Sequence, residues 1–278
     1  MSVTLHAMSC GSIELPLGFL LDGGGSEKLT IPVPAFVIKH PKGVVVFDTG
    51  LEKAFGKKPL DLNPDERAVI EELAYVDAMA SLQPGHDLAS RLEAADIDPG
   101  KVRYLINSHL HFDHCGGNSM VPNAQQVIQK REWEAGSHDE SRAANYFHPH
   151  EYDLGHDRLE IDGEHDLFGD GTVRCIPTFG HTPGHQSIIV RLDGGDVVLT
   201  ADACALCRSL DLLTLPGAAR PDQHEQMLSS FRIFSRLEKA GAELVFGHDP
   251  EQWRYLNDGS LSPLTFQTVS AARSQMGR

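Results

Sequence analysis

No stretch of the chain comes near the roughly 18–20 consecutive apolar residues that a membrane-spanning helix needs. Its first residues, MSVTLHAMSCGS, lack both the basic start and the apolar run of a secretory signal, so a cytoplasmic protein is expected. Positive charge is scarce: 24 Lys and Arg stand against 39 Asp and Glu, a formal net charge of -15. Nucleic acid and anionic membrane surfaces would repel such a molecule, whereas bound divalent cations could locally reverse its potential. Cysteine is sparse too. The five, at positions 10, 115, 175, 204 and 207, form an odd set, which suits reduced thiols better than a disulfide framework. Low-complexity segments and internal repeats are absent.

What is present is ordinary for a globular protein, with 41% hydrophobic and 23% charged residues in 278. One domain over residues 1–278 is expected. IPVPAFVIKH and GVVVFDT (within 31–49) read as β runs joined by a turn at Pro41-Lys42-Gly43. Asn63-Pro64-Asp65-Glu66 carries the signature of a capped helix start. DLASRLEAADI continues as helix, KVRYLINS returns to strand, and SIIVRLDGGDVVLTAD predicts a hairpin with Asp-Gly in its turn. Asp222 and Glu225 predict a second capping box. Met227, Leu228, Phe231, Phe234 and Leu237 follow it at helical spacing as core residues, and Gly241 ends that helix. Strands and helices interleave, so the domain is layered α/β.

Five of these apolar β runs end on a His or an Asp: Asp48, His109, His181, Asp202 and His248. Strand tips in layered α/β proteins hold side chains rigidly and are where sites are built. The densest of them is SHLHFDHCGGN, which crowds His109, His111, Asp113 and His114 together. In an extended segment His109, His111 and Asp113 share one face, while His114 points elsewhere; Gly116-Gly117 would let the backbone turn and a helix begin. With His181, Asp202 and His248 the set reaches five imidazoles and two carboxylates. A catalytic zinc ion takes about three protein ligands. Seven groups, one of them a bridging carboxylate, are too many for one ion and suit two. Mixed N and O donors without thiolate fit zinc, and also manganese, iron or cobalt.

HLHFDH together with the later GHTPGHQS, LTADA and FGHD, in that order, resembles the metallo-β-lactamase superfamily, and within it the N-acyl-homoserine lactonases. The resemblance implies an α/β fold of four layers, an αββα sandwich of two mixed sheets flanked by helices. It implies two divalent metal ions, one held by His109, His111 and His181, the other by Asp113, His114 and His248, with Asp202 between them. Asp48 and His185 match positions that orient ligands, and Phe112 matches a residue of the acyl-chain pocket. The implied activity is hydrolysis of a small-molecule lactone or ester by a metal-bridging hydroxide, with Asp113 passing a proton to the leaving alkoxide and a homodimer as the assembly. Many of these lactonases carry a tyrosine three residues after the bridging aspartate. Here that position is Ala205, so Tyr146 or Tyr152 is expected to replace it if segment 145–153 folds over the site. The rivals are an esterase, thioesterase or phosphoesterase of the same fold, and a non-catalytic protein that binds metal and ligand without turnover.

Overall fold

The computed structural model describes residues 2–73, 79–257, 259 and 261–276. Twelve strands form two sheets among the described residues. The first holds β1 (Thr4–Pro16), β2 (Lys28–His40), β3 (Gly43–Phe47), β4 (Ala80–Ser81), β5 (Val102–Ile106), β6 (Gln125–Gln129) and β7 (Arg158–Ile161), in the order β4-β1-β2-β3-β5-β6-β7. The second holds β8 (His165–Asp166), β9 (Val173–Pro177), β10 (Gln186–Leu192), β11 (Gly195–Leu199) and β12 (Glu243–Val245), in the order β12-β11-β10-β9-β8. Both are mixed: β3, β5, β6 and β7 run parallel, as do β11 and β12, and the remaining pairs are antiparallel.

Alternation along the strands builds the layers. In β3, Val45 and Phe47 face the second sheet, whose Ile188, Val190, Val197 and Leu199 meet them in one core, while Val46 turns outward onto Leu88 and Leu92 of helix Leu88–Ala94. In β10 and β11, Ile189 and Val198 point the other way, onto Phe231 and Phe234 of helix His224–Lys239. Helix, sheet, sheet and helix therefore stack as the expected αββα sandwich. Strands buried on both faces read as continuous apolar runs for this reason.

Local chemistry explains several boundaries. The Asn63 side chain accepts from the Glu66 N–H at 2.9 Å, and Glu66 returns a bond to the Asn63 N–H at 3.1 Å; such a cap is worth about 1 kcal/mol. The Asp193-Gly194 turn joins β10 to β11 as expected. The box at Asp222 and Glu225 does not form. Pro221 opens a short 3₁₀ turn, Pro221–Gln223, and the Arg220 N–H donates to Gln223 Oε1 at 2.8 Å, so the long helix starts at His224 without a side-chain cap. Gly241 follows that helix with φ of 95°. Gly116-Gly117 joins two helical pieces. Gly116 ends helix Phe112–Cys115, Gly117 caps the 3₁₀ turn Asn118–Met120 that begins after it, and a Cβ on Gly117 would lie 2.5 Å from the Thr49 carbonyl. They allow the ligand loop to lie against the end of β3.

All five cysteines are free and buried. Cys204 and Cys207 stand in a Cys-x-x-Cys spacing, yet their sulfurs have separate partners, the Leu206 carbonyl and Arg273. Burial pushes the Cys10 and Cys175 thiols up to about 12. A thiol reagent at neutral pH is expected to label none of the five in the folded protein and all five after denaturation; rapid labelling of the native chain would contradict this. No described helix is long and apolar enough to cross a membrane.

Candidate metal centre and its pocket

The tips of β3, β5, β9, β11 and β12 converge at one edge of the sandwich, and with them come all seven expected donors. His109 Nε2 lies 2.9 Å from His111 Nδ1, which lies 3.0 Å from His181 Nε2. His114 Nε2 lies 3.2 Å from His248 Nε2. Asp202 stands between the groups: Oδ1 is 3.1 Å from His114 Nε2 and 2.9 Å from His248 Nε2, while Oδ2 is 3.4 Å from His181 Nε2. Asp113 Oδ2 completes the second group, 3.5 Å and 3.6 Å from the same nitrogens of His114 and His248. A tetrahedral ion with bonds of ~2.0–2.1 Å spaces its ligand atoms ~3.3 Å apart, so these separations fit.

The outer nitrogens show which way the rings face. His114 Nδ1 donates to Asp48 Oδ2 at 2.8 Å, His109 Nδ1 to Ser108 Oγ at 2.9 Å, His111 Nε2 to the Asn145 carbonyl at 3.0 Å, and His248 Nδ1 to the Pro32 carbonyl at 2.7 Å. Oxygen partners on the outside hold the proton there and leave lone pairs inward, as metal-binding imidazoles require. Those inner lone pairs face one another, and no hydrogen-bond donor reaches the buried Asp202 Oδ1. Such an arrangement is repulsive without positive charge at its centre. The residues present fit a pair of cations.

Charge preferences agree. Burial opposes protonation of His114, but Asp113, Asp202 and Asp48 outweigh it and raise its pKa well above the ordinary value. Burial likewise works against the Asp202 carboxylate, and His248, His114 and His181 overturn it, holding Asp202 well below the usual carboxylate range. Burial lowers His109 and His181 far enough to keep both neutral. The centre is built to receive positive charge.

Asp48 does more than end a strand. With φ of 57° it turns its carboxylate back onto the Ser108 N–H at 2.7 Å and the Ser108 hydroxyl at 2.8 Å, as well as onto His114. His185 is fully buried beside His109, with Nδ1 3.0 Å from Thr178 Oγ1, and burial lowers its pKa to about 3. Ser108 and Asn107, whose side chain binds that of Asn118, were not singled out from the sequence. Both stand just before His109, where the position was the only available signal.

A pocket of about 520 Å³ opens over the centre. His111, Asp113, His181, Asp202 and His248 form its floor, and Phe112, Tyr146 and Ala205 line it. Part of its wall comes from elsewhere: Ile13 and Leu15 of β1, Phe19 and Leu20 of the helical turn that follows it, Ile31 of β2, and Pro216, Ala218 and Ala219 ahead of helix His224–Lys239. Sequence reasoning missed this wall. Met227, expected as core, is buried and also touches the pocket. Tyr152 does not belong to it. Its ring is buried against Trp133 and Phe147, and its hydroxyl donates to the Gly136 carbonyl at 2.8 Å; an aromatic ring that large gains more from the core, with its one polar atom satisfied. His148 and His150 do acquire a companion, since Glu72 pairs with both at 2.8 Å and 3.2 Å. The three do not converge as metal donors, unlike the sets around Asp202.

Several known proteins share this arrangement of sequence. An N-acyl homoserine lactonase AttM of Azorhizobium caulinodans is 30% identical over 258 residues, spanning 90% of this chain and 95% of its own. The N-acyl homoserine lactonase AiiA of Bacillus thuringiensis subsp. kurstaki is 28% identical over 229 residues, 81% of this chain and 84% of its own. A solved N-acyl homoserine lactone hydrolase, with N-hexanoyl-L-homoserine bound at its catalytic metal center, superposes with a TM-score of 0.76 at 25% identity, over 91% of this chain and 96% of that one. The family model of the metallo-beta-lactamase superfamily matches residues 30–248, from β2 to the last of the clustered histidines, and the chain belongs to that superfamily.

Proposed function

We propose that this metal-dependent hydrolase opens lactone rings, those of N-acyl-homoserine lactones above all, over two divalent cations, with zinc the best match to the donors. One observation carries the reading: seven inward-facing donors, spanned by Asp202, come together, and five of them form the floor of a pocket whose walls are mostly apolar. His109, His111 and His181 would hold one ion, Asp113, His114 and His248 the other, and Asp202 both. When bound, the pair supplies Lewis-acid charge and a water acidified from a pKa of 15.7 to about 7.

The chain's own groups do the rest. Ile13, Leu15, Phe19, Leu20, Ile31 and Phe112 give an acyl chain an apolar bed and leave the ring at the polar floor. Asp113, on the floor and only 7% exposed, takes up a proton as water adds to the carbonyl and returns it to the departing ring oxygen. Asp48 and His185 hold the rings around the centre, Asp48 through its bond to His114. Tyr146 lines the same pocket as Ala205 and takes over as hydrogen-bond donor to the lactone. Tyr146→Phe is then expected to lower kcat about 10²-fold with a smaller change in KM. An unchanged kcat would return Tyr146 to the pocket wall.

The activity test is direct. Metal-loaded protein is incubated with N-acyl-homoserine lactones of short and long acyl chain, and the released acid is titrated, beside a thioester and a phosphodiester. Acid release from the lactones is expected. Its absence across every chain length, with turnover of either other substrate, would replace the lactone by that ester class.

A further inference from the structure

Glu132 lies in the first turn of helix Lys130–Ser137, fully buried, and reaches neither substrate pocket nor metal donors. Its two oxygens have different partners. Oε1 accepts the N–H of Leu110 at 3.1 Å, and Oε2 accepts the N–H of Gly184 at 2.7 Å. Leu110 sits between His109 and His111 on the loop after β5. Gly184 sits between His181 and His185 on the loop joining β9 to β10. One carboxylate therefore ties together, across the two sheets, the two loops that carry the three-histidine group.

The approach is close on the second side: a Cβ on Gly184 would lie 2.2 Å from the Glu132 nitrogen, so glycine lets the loop rest on the helix start. Burial drives the Glu132 carboxyl up to about 7, against the N–H bonds from Gly184 and Leu110 that favour its charge. A residue kept at such a cost in a dry place calls for a task. The separation of His181 from His109 and His111 depends on how the two loops are spaced, and a tetrahedral ion tolerates little error in it.

We propose that Glu132 is a positioning residue that sets the spacing of the three-histidine subsite by clamping the Leu110 and Gly184 amides. The inference rests on the two-cation reading above. An amide in place of the carboxylate offers only one oxygen, and its NH₂ would meet an N–H, so Glu132→Gln can hold one loop but not both.

The test uses Zn²⁺ alone. Metal-free wild type and Glu132→Gln are titrated with Zn²⁺ against a chromogenic chelator, and their metal-free melting temperatures are compared. The wild type is expected to take two ions. In the variant one site should weaken by about 10–100-fold while the other keeps its affinity and the metal-free protein melts close to wild type. Two unchanged sites, or two sites weakened alike, overturn the clamp. A wild type that takes no Zn²⁺ instead removes the two-cation reading itself. Should Glu132→Gln fail to fold, amide exchange in the metal-free wild type decides: protected Leu110 and Gly184 amides support the clamp, and exchange at open-loop rates overturns it.

Discussion

Asp202→Asn is expected to lower kcat/KM by at least ~10³-fold, about 4 kcal/mol of transition-state stabilisation. The substitution changes no volume to speak of and leaves the fold intact, so the loss reports charge. Both oxygens of Asp202 lie among the inner nitrogens of His114, His248 and His181, and the asparagine NH₂ would bring a donor where a cation belongs. One oxygen remains, able to serve one group of ligands only. Elemental analysis should accordingly find about one ion per chain where the wild type is expected to hold two. Full activity and full metal content in Asp202→Asn would show that the carboxylate bridges nothing, and would revive the rival of a protein that binds without turnover.

Stripping the metal is expected to abolish ester hydrolysis altogether, since the pocket offers no serine or cysteine nucleophile and its floor is made of the donors themselves. Readdition of Zn²⁺ should restore it. Stability should fall with the metal. Ions at 1,000 times their dissociation constant contribute about 4 kcal/mol, which for a chain of this size is roughly 10 °C in melting temperature. The pH dependence has a definite sign. Asp113, Asp202 and Asp48 raise the pKa of His114 in the metal-free centre, so protons compete with the metal for its inner nitrogen. Metal affinity is therefore expected to weaken as the pH falls, and a chelator competition run between pH 8 and pH 6 (roughly the span across which histidine titrates) measures it. Affinity that rises on acidification would contradict the inward lone pairs inferred from the oxygen partners of the rings.

How legible each part was depended on how far its cause reached along the chain. The HLHFDH segment lies within six positions, so its donors declared themselves through spacing alone. His181, Asp202 and His248 are distant in sequence, yet each ends an apolar run, and a strand tip is a local signal. Asp48 stood at such a tip as well, but its 2.8 Å contact with His114 comes from a different element and was not legible locally. β1 was not expected from the sequence: its buried positions do not alternate, although it pairs with β2 from Thr4 to Pro16 with one irregularity between Ser9 and Ser12. Tyr152 shows the opposite failure. Six residues from Tyr146 in the same loop-rich segment, it points into the core, and nothing in the run NYFHPHEYD distinguishes the two.

By itself the sequence determined the layered α/β class and singled out the seven His and Asp that cluster in the structure, because each follows from residues adjacent to one another or from the period of a single strand. Tertiary structure alone decided the rest. It put Ile13 and Leu15 opposite Ala205, seated Glu132 between two loops, and sent Tyr152 inward. These are contacts between separate elements, where packing rather than spacing chooses the neighbour, and no local pattern encodes that choice.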